Sequence, residues 1–111
     1  MATLTVTEID FDGLDTESLY VAAAASQEFA NDGRVFCHIK NTNGSTRTCT
    51  FTTANTYGGH AIADTVVTIG ATTGEQMVGP FATKIYNASD GNIDITWSAT
   101  AGVTIAVFKL P

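Results

Sequence analysis

Apolar and polar residues alternate with a period of two along much of the chain. The clearest example is residues 93–98, Ile-Asp-Ile-Thr-Trp-Ser, and the alternation resumes with Val103, Ile105 and Val107. Alternation of this kind places successive side chains on opposite faces of a strand with one buried face. Asp90-Gly91 precedes the first run and Ala101-Gly102 separates the two, which is typical of turns. These residues therefore predict two strands with a short connection.

Similar short runs recur at intervals of about ten residues, with turn-forming residues between them. Residues 18–25 are compatible with a strand or a short helix, and the strand is favoured. Residues 55–63, with Gly58-Gly59, are predicted as the longest loop. The other predicted strands cover residues 3–11, 18–25, 34–40, 46–53, 65–69, 76–78 and 81–87. This pattern predicts an all-β single domain, an antiparallel β-sandwich or jelly-roll-like barrel of about eight short strands.

Composition and charge narrow the classes of function. The chain has 111 residues, of which 44% are hydrophobic and only 14% charged, with a net charge of −6. Residues 1–17 form an acidic N-terminal arm or first strand, and residues 18–111 form the predicted β-sandwich domain. Residues 1–32 contain no Lys or Arg, and the basic residues elsewhere are scattered singly. Nucleic-acid binding is not expected, because it needs clustered positive charge.

Neither a signal peptide nor a membrane segment is expected from this sequence. The first residues lack a basic region followed by an apolar core, and the longest run of small apolar residues, 21–25, is too short to span a bilayer. The protein is therefore expected to be made in a cytoplasm.

The two cysteines, Cys37 and Cys49, fall on the predicted arms of a hairpin that turns at Asn43-Gly44. A disulfide between them is geometrically conceivable. Two reduced, buried thiols are the favoured interpretation, because the protein is expected to be made in a reducing compartment. Their spacing matches neither a zinc ligand set nor a redox motif.

Reactive chemistry is poorly represented along the chain. The carboxylates between residues 10 and 17 could bind calcium, but their spacing differs from an EF-hand loop, and a solvated acidic turn is favoured. His38 is a strand neighbour of Cys37, so the two side chains should point to opposite faces and cannot act together. We predict no catalytic, cofactor-binding or metal-binding residues, and no enzymatic activity.

Contact residues are predicted in two places, the acidic N-terminal region and the glycine-rich loop. Tyr57 is the aromatic residue of that loop and a plausible interface anchor, whereas Trp97 is predicted to be a core residue. His60 follows the two glycines and could reach a ligand. The candidate interface residues are Asp10, Phe11, Asp12, Asp15, Glu17, Tyr57 and His60.

Three stretches of the chain resemble a known family. They are the Asn31-Asp-Gly-Arg34 turn with the strand ending at Lys40-Asn41, the Thr-rich residues 46–53, and a third set beginning at Gly79-Pro-Phe81. That third set continues with Tyr86-Asn87 and residues 91–98. Together they resemble the small all-β head decoration, or capsid cement, proteins of tailed bacteriophages.

The resemblance implies a β-sandwich bound in many copies to the outer surface of an icosahedral capsid, often as a trimer placed where capsid subunits meet. The implied partner is the phage major capsid protein, and the implied location is the virion. The acidic N-terminal region is where we expect the capsid contact or a clamp between subunits. Two alternatives stay open, a carbohydrate- or receptor-binding β-module of a phage tail or fibre, and a neck or tail-completion protein.

Overall fold

The computed structural model describes residues 2–10 and 12–111, apart from the side chain of Tyr57. Within these residues the regular secondary structure is almost all β-strand, as the period of two predicts. The elements, in chain order, are β1 (Ala2–Thr3), β2 (Val6–Glu8), a 3-10 helix (Glu17–Leu19), β3 (Val21–Ala22), β4 (Ser26–Ala30), β5 (Val35–Asn41), β6 (Arg47–Phe51), β7 (Thr56–Tyr57), β8 (His60–Ala61), β9 (Thr65–Ile69), β10 (Gly74–Val78), α1 (Thr83–Tyr86), β11 (Asn92–Trp97) and β12 (Val103–Lys109).

Two five-stranded sheets make up the domain. Sheet A has the strand order β1-β4-β11-β6-β9, and sheet B has the order β10-β5-β12-β2, with β3 also paired to β12. Strands β7 and β8 form a separate small hairpin. Most pairs are antiparallel, but β1 runs parallel to β4 and β2 runs parallel to β12. The predicted all-β single domain is confirmed as a β-sandwich, and the two parallel pairs make both sheets mixed.

The core lies between the inward faces of the two sheets. In sheet B the buried positions of β5 alternate along the strand, and its inward residues Val35, Cys37 and Ile39 join the core together with Val103, Ile105 and Val107 of β12. Sheet A contributes an equally apolar inner face with two phenylalanines and three isoleucines. Its buried members are Phe29, Phe51, Ile69, Ile93 and Ile95. Period-two alternation therefore accounts for both inner faces.

Trp97 packs at the margin of this core, in agreement with its prediction as a core residue. Its side chain is half-buried against the core cluster, and its indole Nε1 donates a hydrogen bond to Oε1 of Gln27 at 3.0 Å. Gln27 is almost fully buried, and its Nε2 donates to the backbone oxygen of Ala22 at 3.4 Å. A buried amide needs such partners, because an unpaired one is costly in an apolar core.

The predicted strand at residues 81–87 is wrong, because this segment contains the helical turn α1. The oxygen of Ala82 accepts hydrogen bonds from the N–H groups of Ile85 and Tyr86, both at 3.1 Å. In a strand, residues five apart would point to opposite faces. The helical turn instead brings the rings of Phe81 and Tyr86 together, with centroids 5.4 Å apart. Packing of these aromatic rings overrides the local alternation.

Three further predictions for residues 3–63 also differ from the structure. The predicted strand at residues 3–11 is divided into β1 and β2, which belong to different sheets. Residues 18–25 contain part of the 3-10 helix and the two-residue strand β3, whereas β4 was not predicted. Its inward residues are Gln27 and Phe29, so a polar residue at an inward position hides the alternation. The predicted loop at residues 55–63 contains the β7–β8 hairpin.

The predicted hairpin carrying the two cysteines is wrong, because β5 belongs to sheet B and β6 to sheet A. Asn41 holds the connection between them: its Nδ2 donates to the oxygens of Ser45 and Gly70, at 2.9 and 3.1 Å. Cys37 and Cys49 are therefore on opposite sheets, and both are buried free thiols. Burial raises the pKa of Cys37 well above its ordinary value, and it raises the pKa of Cys49 to about 12.

Candidate functional site

Residues 9–10 and 12–20, here called the acidic segment, lie along the outer face of sheet B. The N–H of Ile9 donates to the backbone oxygen of Lys109 in β12 at 2.9 Å. At the other end of the segment, Tyr20 contacts His38 and Lys40, which point outward from β5. The segment therefore begins as a continuation of the β2–β12 pair and ends in contact with the outer face of β5.

Apolar residues on the outer face of sheet B explain why the segment lies there. Phe36 and Phe108 are paired on neighbouring strands, and their ring centroids are 5.7 Å apart. Ala106 and Phe108 are buried although they alternate with the inward residues of β12. Covering such residues removes apolar surface from water, worth about 25 cal/mol for each Å². The inward face of β12 is thus buried by the core, and Phe108 on its outward face is buried beside the acidic segment.

A chain of polar contacts attaches Tyr20 to two strands. Its hydroxyl is hydrogen-bonded to Nδ1 of His38, and Nε2 of His38 lies 3.2 Å from a carboxylate oxygen of Glu75 in β10. The ammonium of Lys40 lies 4.1 Å from the centroid of the Tyr20 ring, within cation–π range. The outward direction of His38 is as predicted from the sequence. Its partners are distant in the sequence, so no local pattern indicates them.

An open groove lies between the acidic segment and strand β10, and we call it the sheet B groove. It has a volume of about 360 Å³, with Phe36 and Phe108 among its lining residues. Met77 of β10 borders it and is 65% exposed. The lining residues from the acidic segment are Ile9, Asp10, Gly13, Leu14, Thr16 and Tyr20. The groove therefore combines an apolar surface with access to solvent.

The predicted acidic interface residues all lie on this segment and are exposed to solvent. A carboxylate oxygen of Asp10 accepts the N–H of Asp12 at 3.1 Å, and one of Asp15 accepts the N–H of Glu17 at 3.3 Å. These are local turn contacts of a kind typical of Asp. Asp10 also lines the sheet B groove. The candidate residue Phe11 lies outside the described residues.

The other two predicted interface residues lie elsewhere, paired with each other in the β7–β8 hairpin. His60 is exposed, and the hairpin borders a second groove of about 750 Å³. Its other lining residues include Gly33 and the segment from Pro80 to Ile85. This groove shares no lining residue with the sheet B groove. The predicted interface residues are thus distributed over two separate surfaces.

Sequence reasoning did not find a group of asparagines at the same end of the sandwich as the second groove. Nδ2 of Asn31 donates to the backbone oxygen of Phe81 at 3.1 Å and to Oδ1 of Asn87 at 2.7 Å. Nδ2 of Asn87 donates back to the oxygen of Asn31 at 2.8 Å. Nδ2 of Asn55 donates to the oxygen of Asn87, also at 2.8 Å. These bonds join three loops, and the only sequence signal was the turn chemistry around Asn31 and Asn87.

The described part of the chain offers neither a metal-binding cluster nor a membrane-spanning helix. Within residues 2–10 and 12–111, no three side chains of His, Cys, Asp or Glu come together as a metal site would require. Over the same residues, no helix has the length and apolar character needed to cross a membrane.

Comparison with known proteins adds no assignment to this geometry. No protein-family model matches the chain, and no curated protein or solved structure matches it significantly.

Proposed function

We propose that this protein is a virion structural protein that decorates an icosahedral phage capsid. In this proposal it binds the outer surface of the shell between subunits of the major capsid protein and stabilises the assembled particle. The observation that carries the proposal is the acidic segment, which is fixed on one sheet beside an open apolar groove. Such a surface offers the charge and the apolar area that a protein contact uses.

The rigidity of the sandwich supports the proposal. A protein that binds the assembled shell, and not its separated subunits, stabilises the shell by mass action. A scaffold that bridges neighbouring subunits serves this purpose best when it does not deform. The core of this domain is continuous from Leu4 in the N-terminal region to Val107 in the last strand.

The state of the polar and nucleophilic side chains supports a non-enzymatic role. Both thiols are buried and their pKa values are raised, which disfavours the reactive thiolate form. His38 is hydrogen-bonded to Tyr20 and lies beside Glu75, so both of its ring nitrogens have partners. These groups contribute to structure in the proposal, and the function depends on surface contacts.

The number of copies in purified particles tests the proposal. Quantitative mass spectrometry should find hundreds of copies in each particle, bound as trimers, if the protein decorates the shell. About six or twelve copies would instead identify a neck or tail-completion protein, and binding to a glycan with none on the shell would identify a receptor-binding module. Particles that carry the protein should also withstand a higher temperature than particles without it.

A matched pair of variants tests the contribution of the acidic segment. Asp12→Lys reverses an exposed charge on that segment, and Asp90→Lys makes the same change in the turn before β11. We expect Asp12→Lys to lower the occupancy of the shell at limiting protein concentration and Asp90→Lys to leave it nearly unchanged. Equal occupancy for the two variants would contradict a capsid contact through the acidic segment.

A further inference from the structure

The sheet B groove leaves an apolar surface open in a protein with few exposed large apolar residues. Met77 is 65% exposed, the largest fraction among the exposed large apolar side chains of the described residues. Phe36 and Leu14, which also line the groove, are only half-buried. Exposed apolar surface rimmed by polar residues is typical of interaction sites. A methionine suits such a site, because its unbranched side chain adapts to different partners.

The size of the groove limits what it can hold. Its volume of about 360 Å³ lies near the lower end of the roughly 300–1,000 Å³ typical of ligand sites. That space accommodates a large apolar side chain together with the adjacent part of its main chain. The apolar lining favours such a side chain over a sugar or a phosphate.

The rim of the groove is acidic, and none of the salt bridges among the described residues involves its carboxylates. Asp10 lines the groove, and Asp12, Asp15 and Glu17 follow on the same exposed segment. The basic side chains on this face are already engaged: Lys40 lies over the ring of Tyr20, and His38 lies between the hydroxyl of Tyr20 and the carboxylate of Glu75. The field around the groove therefore favours a positively charged ligand and disfavours nucleic acid or an anionic membrane.

The basic residues of this chain do not provide such a ligand. They are Arg34, Lys40, Arg47, Lys84 and Lys109, and no two of them lie within five positions of each other in the sequence. No short segment of a second copy therefore has an apolar residue with basic residues close on both sides. Charge complementarity thus favours a different protein as the occupant.

We propose that the sheet B groove binds an extended segment of a partner protein that carries one large apolar side chain flanked by Lys or Arg. The apolar side chain packs on Phe36, Phe108 and Met77, and the flanking cations lie beside the carboxylates of the acidic segment. This inference deepens the proposed function, on which it rests for the identity of the partner as a capsid subunit.

Titration with short synthetic peptides tests the groove directly. The probe is acetyl-Lys-Lys-Phe-Lys-Lys-amide, added to the full chain labelled with ¹⁵N and followed by amide chemical shifts. We expect saturable shifts at residues 9–20 and at Phe36 and Met77. Replacing the Phe of the peptide by Ser, or its four Lys by Glu, should weaken binding at least tenfold. Raising the salt from about 50 to 500 mM should also weaken it several-fold, because the Debye length shortens.

Two variants form a matched test on the protein. Met77→Lys and Val66→Lys each place a cation at an exposed apolar position, on edge strands of sheets B and A. Lysine at such positions is well tolerated, so both variants should fold. We expect Met77→Lys to weaken binding of the Lys-Lys-Phe-Lys-Lys peptide at least tenfold, and Val66→Lys to leave it within twofold of the wild type.

Several results would overturn the inference. They are the absence of peptide binding, shifts centred outside the groove, equal binding of the Ser-containing peptide, and equal effects of the two variants. A change in oligomeric state on Met77→Lys, measured by light scattering, would identify a second copy of the chain as the occupant of the groove.

The binding role of the groove and the proposed capsid function can fail independently of each other. If the wild type and Met77→Lys decorate shells equally, the groove is not the capsid contact, although the proposed function holds. If the protein binds the peptide but does not decorate shells, the groove is a binding site and the proposed function is wrong.

Discussion

The outer faces of the two sheets differ although their inner faces are alike. On sheet A the outward residues at the centre of the sheet are polar, and Thr96 pairs with Ser26 on one side and with Thr50 on the other. On sheet B the corresponding surface contains Phe36 and Phe108 and is covered by the acidic segment. The same alternation thus produces one face suited to water and one that requires a cover.

The difference between the two outer faces explains why the acidic segment lies on sheet B although it forms no strand there. Its carboxylates and turn formers give it no regular alternation, but Ile9, Leu14 and Tyr20 supply apolar surface that can pack on the sheet. The apolar face beneath it supplies the contact area, and the partners of Tyr20 fix one end. Position is therefore determined by the surface that the segment covers.

The largest expected effect comes from removing the apolar contact under the segment. Phe108 is 4% exposed, and a Phe→Ala change at a buried site typically costs about 3 kcal/mol or more. We expect Phe108→Ala to lower the free energy of unfolding by that amount, measured by denaturant titration. If the outer face of sheet B were open to solvent, the loss would be far smaller.

A threonine on the opposite face serves as the control. Thr96 is exposed at the centre of the outer face of sheet A. We expect Thr96→Ala to cost no more than about 1 kcal/mol, the range of strand propensities. Similar losses for Thr96→Ala and Phe108→Ala would contradict the distinction between the two faces.

The residues of the inner faces could be predicted from the sequence, because alternation is a local property. The buried positions of β5 and β11 follow the pattern directly, and so do the core residues Val103, Ile105 and Val107 of β12. Alternation could not predict which strand belongs to which sheet, because sheet membership depends on contacts between distant residues. Adjacent strands such as β5 and β6 looked like a hairpin, but the contacts of Asn41 with Ser45 and Gly70 carry the chain from one sheet to the other.

The candidate site was predictable only in part, for a related reason. Charge density in the sequence pointed to Asp10, Asp12, Asp15 and Glu17, and the structure shows that they share one short segment. The groove beside them depends on β5, β10 and β12, which are far apart in the sequence. Burial of Phe108 on an outward position is likewise a property of the folded chain, and alternation alone would place it in solvent.

A smaller effect is expected from weakening the contact of Tyr20 with sheet B at the end of the acidic segment. Tyr20→Phe removes the hydroxyl that is bonded to His38, and a hydrogen bond of this kind typically contributes about 1 kcal/mol. We expect faster amide hydrogen exchange in residues 9–20, including the N–H that Ile9 donates to Lys109. Exchange of the core strands should change much less, because the segment can open without unfolding the domain.

The control is Tyr86→Phe, which removes a hydroxyl bonded to Oγ1 of Thr65 at 2.7 Å. It deletes the same atom from a tyrosine that packs against the core and not on sheet B. Its effect on exchange should therefore appear around β9 and α1 and not in residues 9–20. Identical exchange patterns for the two variants would show that the segment is not held independently by Tyr20.

The smallest effect concerns charge on the open face of sheet A, where Asp94 lies directly opposite Glu28. Burial raises the pKa of Asp94, and the nearby carboxylates of Glu28 and Asp90 raise it further. A carboxyl whose pKa is higher in the folded state binds its proton more tightly there. The stability of the fold therefore falls as the pH rises from the unfolded pKa through the folded one.

Asp94→Asn should accordingly raise the free energy of unfolding at neutral pH. The gain should be under about 1 kcal/mol, because the site is largely solvated and its repulsion is screened. It should shrink towards zero below the ordinary pKa of aspartate, where the wild-type carboxyl is also neutral. Denaturant titrations between about pH 3 and pH 7 measure this trend. Asp12→Asn on the acidic segment is the control, and an equal gain from it would mean that net charge alone, and not the pairing of Asp94 with Glu28 on sheet A, sets the pH dependence.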